Sequence, residues 1–181
     1  PKPSSAASDV YKRQAIYAMQ KINAPGPYRA LLLFHHIRMP KKISAFHKWS
    51  EELDLQGLLK IGYPGLCLIT DRSDVPSLVP EFIRRVKRLS WYTCELREHG
   101  HIDARSIDAL HYALLTHDTP TSLSRRSGIV QLERLKEVSA YLQVADDSMH
   151  TTKEAKKKQT IQAPPASLSS WLSFYRNAMR P

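Results

Sequence analysis

Residues 28–37 of the chain, YRALLLFHHI, begin the segment that decides the fold. A Pro-Gly-Pro sequence precedes this stretch and a proline follows it, so residues that break regular structure bound a predicted strand on both sides. The run at 30–34 is apolar without alternation, which is typical of a strand with both faces buried. We therefore expect more than one layer of chain to cover the sheet to which this strand belongs.

Helical and strand-like patterns alternate after this strand. At 42–54, apolar residues recur at steps of three and four, which predicts an amphipathic helix. Two aliphatic segments follow at 57–61 and 65–70, and the Gly-Tyr-Pro sequence between them predicts a hairpin turn. These patterns give a strand, a helix and two paired strands in succession.

A second helix, at 75–89, has the clearest helical periodicity in the chain. Acidic residues before it and basic residues in its last turns suit the helix dipole. Pro80 fits if the helix begins near Ser77, which places the proline in the first turn, or if the helix kinks. Residues 91–96 then complete the unit as a fourth strand.

The order of these elements over residues 28–97 predicts an α+β domain. Strand, helix, strand, strand, helix, strand is the βαββαβ arrangement of a ferredoxin-like fold, in which two helices cover one face of a four-stranded antiparallel sheet. Residues 98–144 are predicted as a helical extension, with a short helix at 103–116 and a longer one from Gly128 to Val144. We expect the longer helix to cover the second face of the sheet.

Both ends of the chain differ from this central part. Residues 1–27 are predicted as an irregular remnant, of which 1–14 lack periodicity and resemble an adaptor-derived translation. Residues 145–181 are predicted as a disordered basic linker that ends in a short terminal helix over 168–179. That terminal helix is apolar enough to dock on another surface.

Composition limits the class of protein. A net charge of +10 over 181 residues attracts polyanions, although the surplus is spread evenly along the chain. No apolar run approaches the roughly 20 residues that cross a bilayer, and no secretory signal is present, so we expect no membrane partner. Cys67 and Cys94 both fall on predicted strands and are expected to be buried free thiols. An intracellular location, cytoplasmic or nuclear, is therefore predicted.

An ordered set of short motifs resembles one known family. The set comprises His35-His36-Ile37, Trp49 with Glu52-Leu53, Tyr63-Pro64-Gly65 and Arg88-Leu89-Ser90-Trp91. Together they resemble the small nuclear ribonucleoprotein C-terminal domain family, named after pre-mRNA-processing factor three. Within it they are most similar to the branch that follows an RWD domain in RWD-domain-containing proteins. The resemblance covers roughly residues 28–99 and continues weakly through 125–142, and it leads us to expect an RWD domain upstream.

This resemblance implies two different roles. In the splicing-factor branch the domain is similar to an RNA-binding platform that grips small nuclear RNA. In the RWD-linked branch, to which the His35-His36 motif belongs, RWD modules are known mainly for protein interaction. The resemblance to the family is therefore only weak support for RNA binding by this chain.

Six basic residues on the predicted helices are candidates for a phosphate-contacting surface: Lys41, Lys42, Arg84, Arg85, Lys87 and Arg88. The alternative is an ordinary solvated helix face. His35 and His36 are possible functional residues, but successive side chains on a strand point to opposite faces, which predicts that they do not share one metal ion unless the strand is locally broken. Structural histidines at a strand end are the alternative, and His36 beside a basic loop has access to an anion.

Other chemistries fit the sequence less well. The predicted strand at 65–70 has no aromatic residue on which a base stacks, so an RNA-recognition motif is not indicated. The imidazoles of His99, His101, His111 and His117 match no closed zinc site. Only His117-Asp118-Thr119 fits a phosphoesterase motif, and no phosphate loop or nucleophile elbow is present. No enzyme, metal or cofactor is therefore predicted.

The predicted function is a non-catalytic interaction module that binds RNA or a ribonucleoprotein, or a protein partner, through its basic helix faces. The alternative is a purely protein–protein interaction domain linked to an RWD domain. In that alternative the helix from Gly128 to Val144 or the segment from Leu168 to Met179 is the docking element.

Overall fold

The computed structural model describes residues 27–72, 77–116, 128–156 and 170–180. These ranges form one sheet with helices on both faces. The strands are β1 (Tyr28–Phe34), β2 (Leu55–Lys60), β3 (Gly65–Asp71), β4 (Cys94–His101) and β5 (Ile129–Leu132). The helices are α1 (Pro40–Glu52), α2 (Val79–Lys87), α3 (Ala104–Thr116), α4 (Leu135–Lys156) and α5 (Trp171–Ala178).

The sheet has five strands in the order β4-β1-β3-β2-β5. Three of its strand pairs are antiparallel, whereas β2 and β5 are parallel. The prediction of a four-stranded antiparallel ferredoxin-like sheet is therefore wrong. The error lies at residues 129–132, which the sequence pattern predicts to be the beginning of a long helix.

Strand β5 is so short that the spacing of its buried residues also fits a helix. Ile129 and Leu132 are both buried, and a spacing of three residues places two side chains on the same face of a helix. In the strand they instead point to opposite faces, one into each core of the protein. Gly128 precedes the strand with a φ of 70°, and its carbonyl accepts a hydrogen bond of 2.9 Å from the Gly57 amide. The long helix consequently begins at Leu135.

Both faces of the sheet are covered, as the unbroken apolar run in β1 predicts. Ala30, Leu32 and Phe34 pack into the core beneath α1 and α2, which we call the two-helix layer. Leu31 points the other way, into the core formed with α3, α4 and α5, which we call the three-helix layer. The chain downstream of the fourth strand therefore supplies the second cover.

Three boundaries differ from the sequence prediction. Strand β4 continues to His101, beyond the predicted domain end at residue 97. Helix α4 continues to Lys156, so 145–156 is helical and not part of a disordered linker. Helix α2 begins at Val79, which places Pro80 in its first turn and decides between the two alternatives for that proline.

Helix α5 is fixed to the three-helix layer by polar contacts as well as by apolar burial. Trp171 is fully buried, and its indole Nε1 donates a 2.9 Å hydrogen bond to the Ser106 carbonyl. Asp146, on α4, accepts hydrogen bonds from the backbone amides of Trp171 and Leu172 at 2.7 and 3.1 Å. The first backbone amides of a helix have no carbonyl acceptor within the helix, and the Asp146 carboxylate supplies one for these two. The predicted terminal helix therefore docks on its own chain.

A buried arginine also contacts helix α5. The Arg29 guanidinium, on β1, lies 4.0 Å from the centre of the Phe174 ring and 4.9 Å from that of Trp171. Burial lowers the pKa of Arg29 to about 10, against the opposing effect of Glu98, Asp103 and Asp146. Cation–π contact with two rings partly replaces the water that the cation has lost.

Several predictions concern residues outside the described ranges. They are the irregular remnant before residue 27, His117 and the polar segment after residue 156. Within the described ranges, no helix combines the length and the apolar character that a membrane crossing requires.

We expect Gly57→Ala to destabilise the sheet. A Cβ at this position would lie 2.0 Å from the backbone oxygen of Leu68, which cannot move without disturbing β3. The expected loss is about 1–3 kcal/mol in the free energy of unfolding, measured by urea denaturation. Gly100→Ala is the matched control because, apart from its chain neighbours, no atom of the described residues lies within 4 Å of a Cβ built there. Equal losses in the two variants would contradict the tight approach of β2 and β3.

Removing the anchor of α5 should be costly. Trp171→Ala deletes a fully buried indole, and large-to-small changes of this kind cost about 3–5 kcal/mol. Tyr92→Ala, at a side chain that is 80% exposed, is expected to change stability by less than about 0.5 kcal/mol. Denaturation midpoints of the two variants measure the difference. A wild-type midpoint for Trp171→Ala would mean that α5 does not contribute to the core.

Candidate functional site

Helices α1 and α2 run in opposite directions across the two-helix layer. Glu52, the last residue of α1, forms a 2.7 Å ion pair with Arg85 of α2. At the other end, the Lys42 ammonium donates a hydrogen bond to the carbonyl of Ser90, just after α2. The first turn of α1 therefore lies beside the end of α2, and the basic residues of the two helices come together there.

Two of the six predicted phosphate contacts are committed to ion pairs. Arg85 binds Glu81 at 3.0 Å as well as Glu52, and Arg84 also pairs with Glu81. The hydrogen bond from Arg85, reinforced by the nearby charge of Arg84, lowers the pKa of Glu81 below its usual range. Hydrogen bonds to Glu81 and Glu52 likewise raise the pKa of Arg85. These charges are partly compensated within the protein.

The other four predicted residues form no ion pair with a described carboxylate, although the charge of Arg88 also acts on Glu81. Lys41, Lys87 and Arg88 are exposed, and no carboxylate of the described residues lies within ion-pair distance of them. Lys42 lies over the Trp91 ring, 4.1 Å from its centre. We call these four residues the helix-end basic surface.

The structure brings His35 and His36 together at a local break in the strand, which is the condition under which two successive histidines can share a ligand. Strand β1 ends at Phe34, so the alternation of side chains along a strand does not apply to the two histidines. Their Nδ1 atoms lie 2.8 Å apart, and one ring donates a hydrogen bond to the other. His35 is exposed and His36 is half-buried.

Two exposed tyrosines flank this pair, and sequence reasoning missed them. The ring centres of Tyr63 and Tyr92 lie 5.0 and 4.8 Å from that of His35. Their side chains are 65% and 80% exposed, although large aromatic residues are usually at least half-buried. Tyr63 lies in the predicted hairpin turn and Tyr92 in the predicted fourth strand, so no local sequence pattern indicates that the two are neighbours. We call His35, His36, Tyr63 and Tyr92 the imidazole–tyrosine cluster.

The remaining described histidines are separate from this cluster. His99 and His101 lie on β4, and the Nδ1 of His99 contacts the Tyr28 hydroxyl. His111 lies on α3 in the other layer, where its Nδ1 is 2.8 Å from the Oε1 of Gln56. Within the described residues, no group of three or more His, Cys, Asp or Glu side chains could hold a metal ion.

Neither cysteine has the character of a nucleophile. Both are free thiols, Cys67 fully buried and Cys94 half-buried. Burial raises the pKa of both thiols, which suppresses the reactive thiolate. They contribute apolar volume to the two-helix layer.

Comparison with known proteins does not assign the chain to a family. No protein-family model matches the chain, and no curated protein matches it. The resemblance to the small nuclear ribonucleoprotein C-terminal domain family stays a prediction.

The ion pairs of Glu81 predict a specific effect of acid. Because the pKa of Glu81 is lowered in the folded protein, its contribution to stability is present above the ordinary glutamate pKa and is lost as the pH falls through the folded value. Glu81→Gln should therefore be less stable than wild type at pH 7, and its stability should change less on acidification below about pH 4.5. Urea unfolding at a series of pH values measures both quantities.

Glu133→Gln is the control for this experiment, since Glu133 is exposed and forms no ion pair with a described residue. It should retain the wild-type dependence on pH. The same dependence in both variants would mean that the Glu81 ion pairs are not maintained in solution.

Proposed function

We propose that the chain is a non-catalytic interaction module that binds RNA or a ribonucleoprotein through the helix-end basic surface. The observation behind this proposal is the juxtaposition of Lys41 and Lys42 with Lys87 and Arg88. Two segments that are far apart in sequence place four cations at one end of the two-helix layer.

The electrostatics of this surface favour a polyanion. None of its four side chains forms an ion pair with a carboxylate of the described residues, and the whole chain carries a net charge of +10. Binding of phosphates by such groups releases counterions and therefore weakens as salt is added. Phosphate contacts position a nucleic acid without identifying its bases, so we expect little preference for sequence.

The ion pairs refine the earlier set of candidate residues. Arg84 and Arg85 share Glu81, and Arg85 also binds Glu52, so contact with a phosphate requires competition with these carboxylates. We expect both arginines to contribute mainly to the packing of α2 against α1. Lys87 and Arg88, one turn further along, are the better test of RNA binding.

A purely protein–protein role, in a domain linked to an RWD domain, is the second candidate. It is favoured by Tyr112 and Leu115, which are 54% and 66% exposed and lie one turn apart on α3. The docking elements expected from sequence do not serve this role, because Tyr141 of α4 and Trp171 of α5 are fully buried in the chain's own core. The two free thiols support an intracellular location, cytoplasmic or nuclear, for either role.

Titration of a labelled single-stranded RNA at several salt concentrations tests the proposal. Four phosphate contacts predict a slope of about −3 in a plot of log affinity against log salt, and Lys87→Glu with Arg88→Glu should reduce it to about −1.5. Arg134→Glu with Lys136→Glu is the matched control, since it changes net charge equally beside the three-helix layer.

Two results would contradict RNA binding by this surface. One is the absence of binding at low salt, about 50 mM, with single-stranded and duplex RNA alike. The other is an equal loss of affinity in the control variant, which would indicate a general effect of net charge. The first result leaves the protein–protein role as the better candidate.

A further inference from the structure

The two imidazoles at the end of β1 lie close enough to bind one metal ion. The Nδ1 atoms are 2.8 Å apart, with the rings inclined at 74°, and share one proton, so a metal ion that replaced this proton would be within reach of both nitrogens. Neutral imidazole nitrogens are common ligands of Zn, Cu and Ni ions in proteins. This chemistry is independent of the helix-end basic surface, which shares no residue with the pair.

The separation of the nitrogens favours some of these metals over others, provided that it is kept when a metal ion replaces the shared proton. For metal–nitrogen bonds of about 2.0 Å, two nitrogens 2.8 Å apart subtend an angle of about 90° at the metal. Neighbouring ligands in square-planar or tetragonal coordination, which Cu(II) and Ni(II) prefer, make this angle. A tetrahedral zinc site would need the nitrogens about 3.3 Å apart.

We propose that His35 and His36 bind one tetragonal divalent metal ion, with Cu(II) preferred over Zn(II), through their Nδ1 atoms. Water completes the coordination, since the described residues supply no group of three metal-ligating side chains. In the metal-free pair one ring carries its proton on Nδ1. On metal binding that proton is lost to solvent and another is taken up at Nε2 of the same ring, so a neutral pair releases no net proton.

The backbone on both sides of the pair is fixed, which keeps the two rings together. The His35 amide donates a 2.9 Å hydrogen bond to the Thr93 hydroxyl. Ile37 is fully buried and exchanges two backbone hydrogen bonds with Gly62, at 2.8 and 3.1 Å. The rings of Tyr63 and Tyr92 pack against His35 from two further loops. Less freedom is therefore lost on binding than in a flexible His-His sequence.

The protein also contains a natural comparison pair. His99 and His101 are two residues apart on β4 and so lie on one face of the strand. The Nδ1 of His99 is engaged by the Tyr28 hydroxyl, and the Tyr28 ring contacts His101 edge-on, with 4.9 Å between ring centres. Substitution of this pair removes the same number of imidazoles without touching the proposed site.

Titration with Cu(II), followed by calorimetry and by electron paramagnetic resonance, tests the proposal. The wild-type chain should bind Cu(II) with two equatorial imidazole nitrogens, and tyrosine fluorescence should fall because Tyr63 and Tyr92 flank the metal. His35→Asn with His36→Asn should weaken this site at least tenfold, whereas His99→Asn with His101→Asn should leave it unchanged. Zn(II) should bind the wild-type chain at least tenfold more weakly than Cu(II).

Three results would overturn the proposal. They are an unchanged Cu(II) site in His35→Asn with His36→Asn, loss of the site only in the β4 variant, and Zn(II) affinity equal to that of Cu(II). Circular dichroism melting establishes that each variant is folded. If the double variant unfolds, single variants replace it, and each should lose one nitrogen from the Cu(II) spectrum. A two-nitrogen spectrum in both single variants would equally overturn the proposal.

Discussion

Burial of the central strands on both faces is the constraint on which the rest of the structure depends. Leu31 and Leu32 are adjacent in β1 and enter different cores, and Leu66, Cys67 and Leu68 alternate in the same way in β3. The elements up to β4 supply helices for only one of these faces. Apolar surface on the other face is costly in water, at roughly 25 cal/mol per Å². The downstream helices α3, α4 and α5 are therefore an obligatory part of the fold.

The sequence predicts those elements whose burial leaves a regular pattern. The apolar run in β1 and the amphipathic periodicity of α1 and α3 are local signals, and the structure has a strand or a helix at each. Strand β5 cannot be predicted in this way, because four residues are too few to distinguish strand spacing from helix spacing. The end of β4 is not predicted either, because an edge strand with one neighbour needs little apolar content. Residues 97–101 contain no large aliphatic side chain that would indicate a strand.

In the candidate sites, too, local sequence identifies some features, while others depend on residues that are distant in the chain. Residue type and helix dipole identify the basic residues of α1 and α2, but not which of them are compensated. That distinction depends on Glu52, which lies 33 positions before Arg85 and meets it only because the helices are antiparallel. The imidazole–tyrosine cluster likewise depends on where β1 ends. A strand that continued through Ile37 would separate His35 from His36, whereas an end at Phe34 brings their rings into contact.

The parallel pairing of β2 with β5 has a consequence for synthesis on the ribosome. Strand β2 pairs along one edge with β3, which follows it directly in the chain, but its other edge stays open until β5 is made, roughly 70 residues later. At translation rates of about 5–20 residues per second this interval lasts roughly 4–14 s. Throughout it the nascent chain presents an open, aliphatic sheet edge of the kind that recruits other strands. Newly made chains should consequently be most vulnerable to aggregation, and most in need of a chaperone, during this interval.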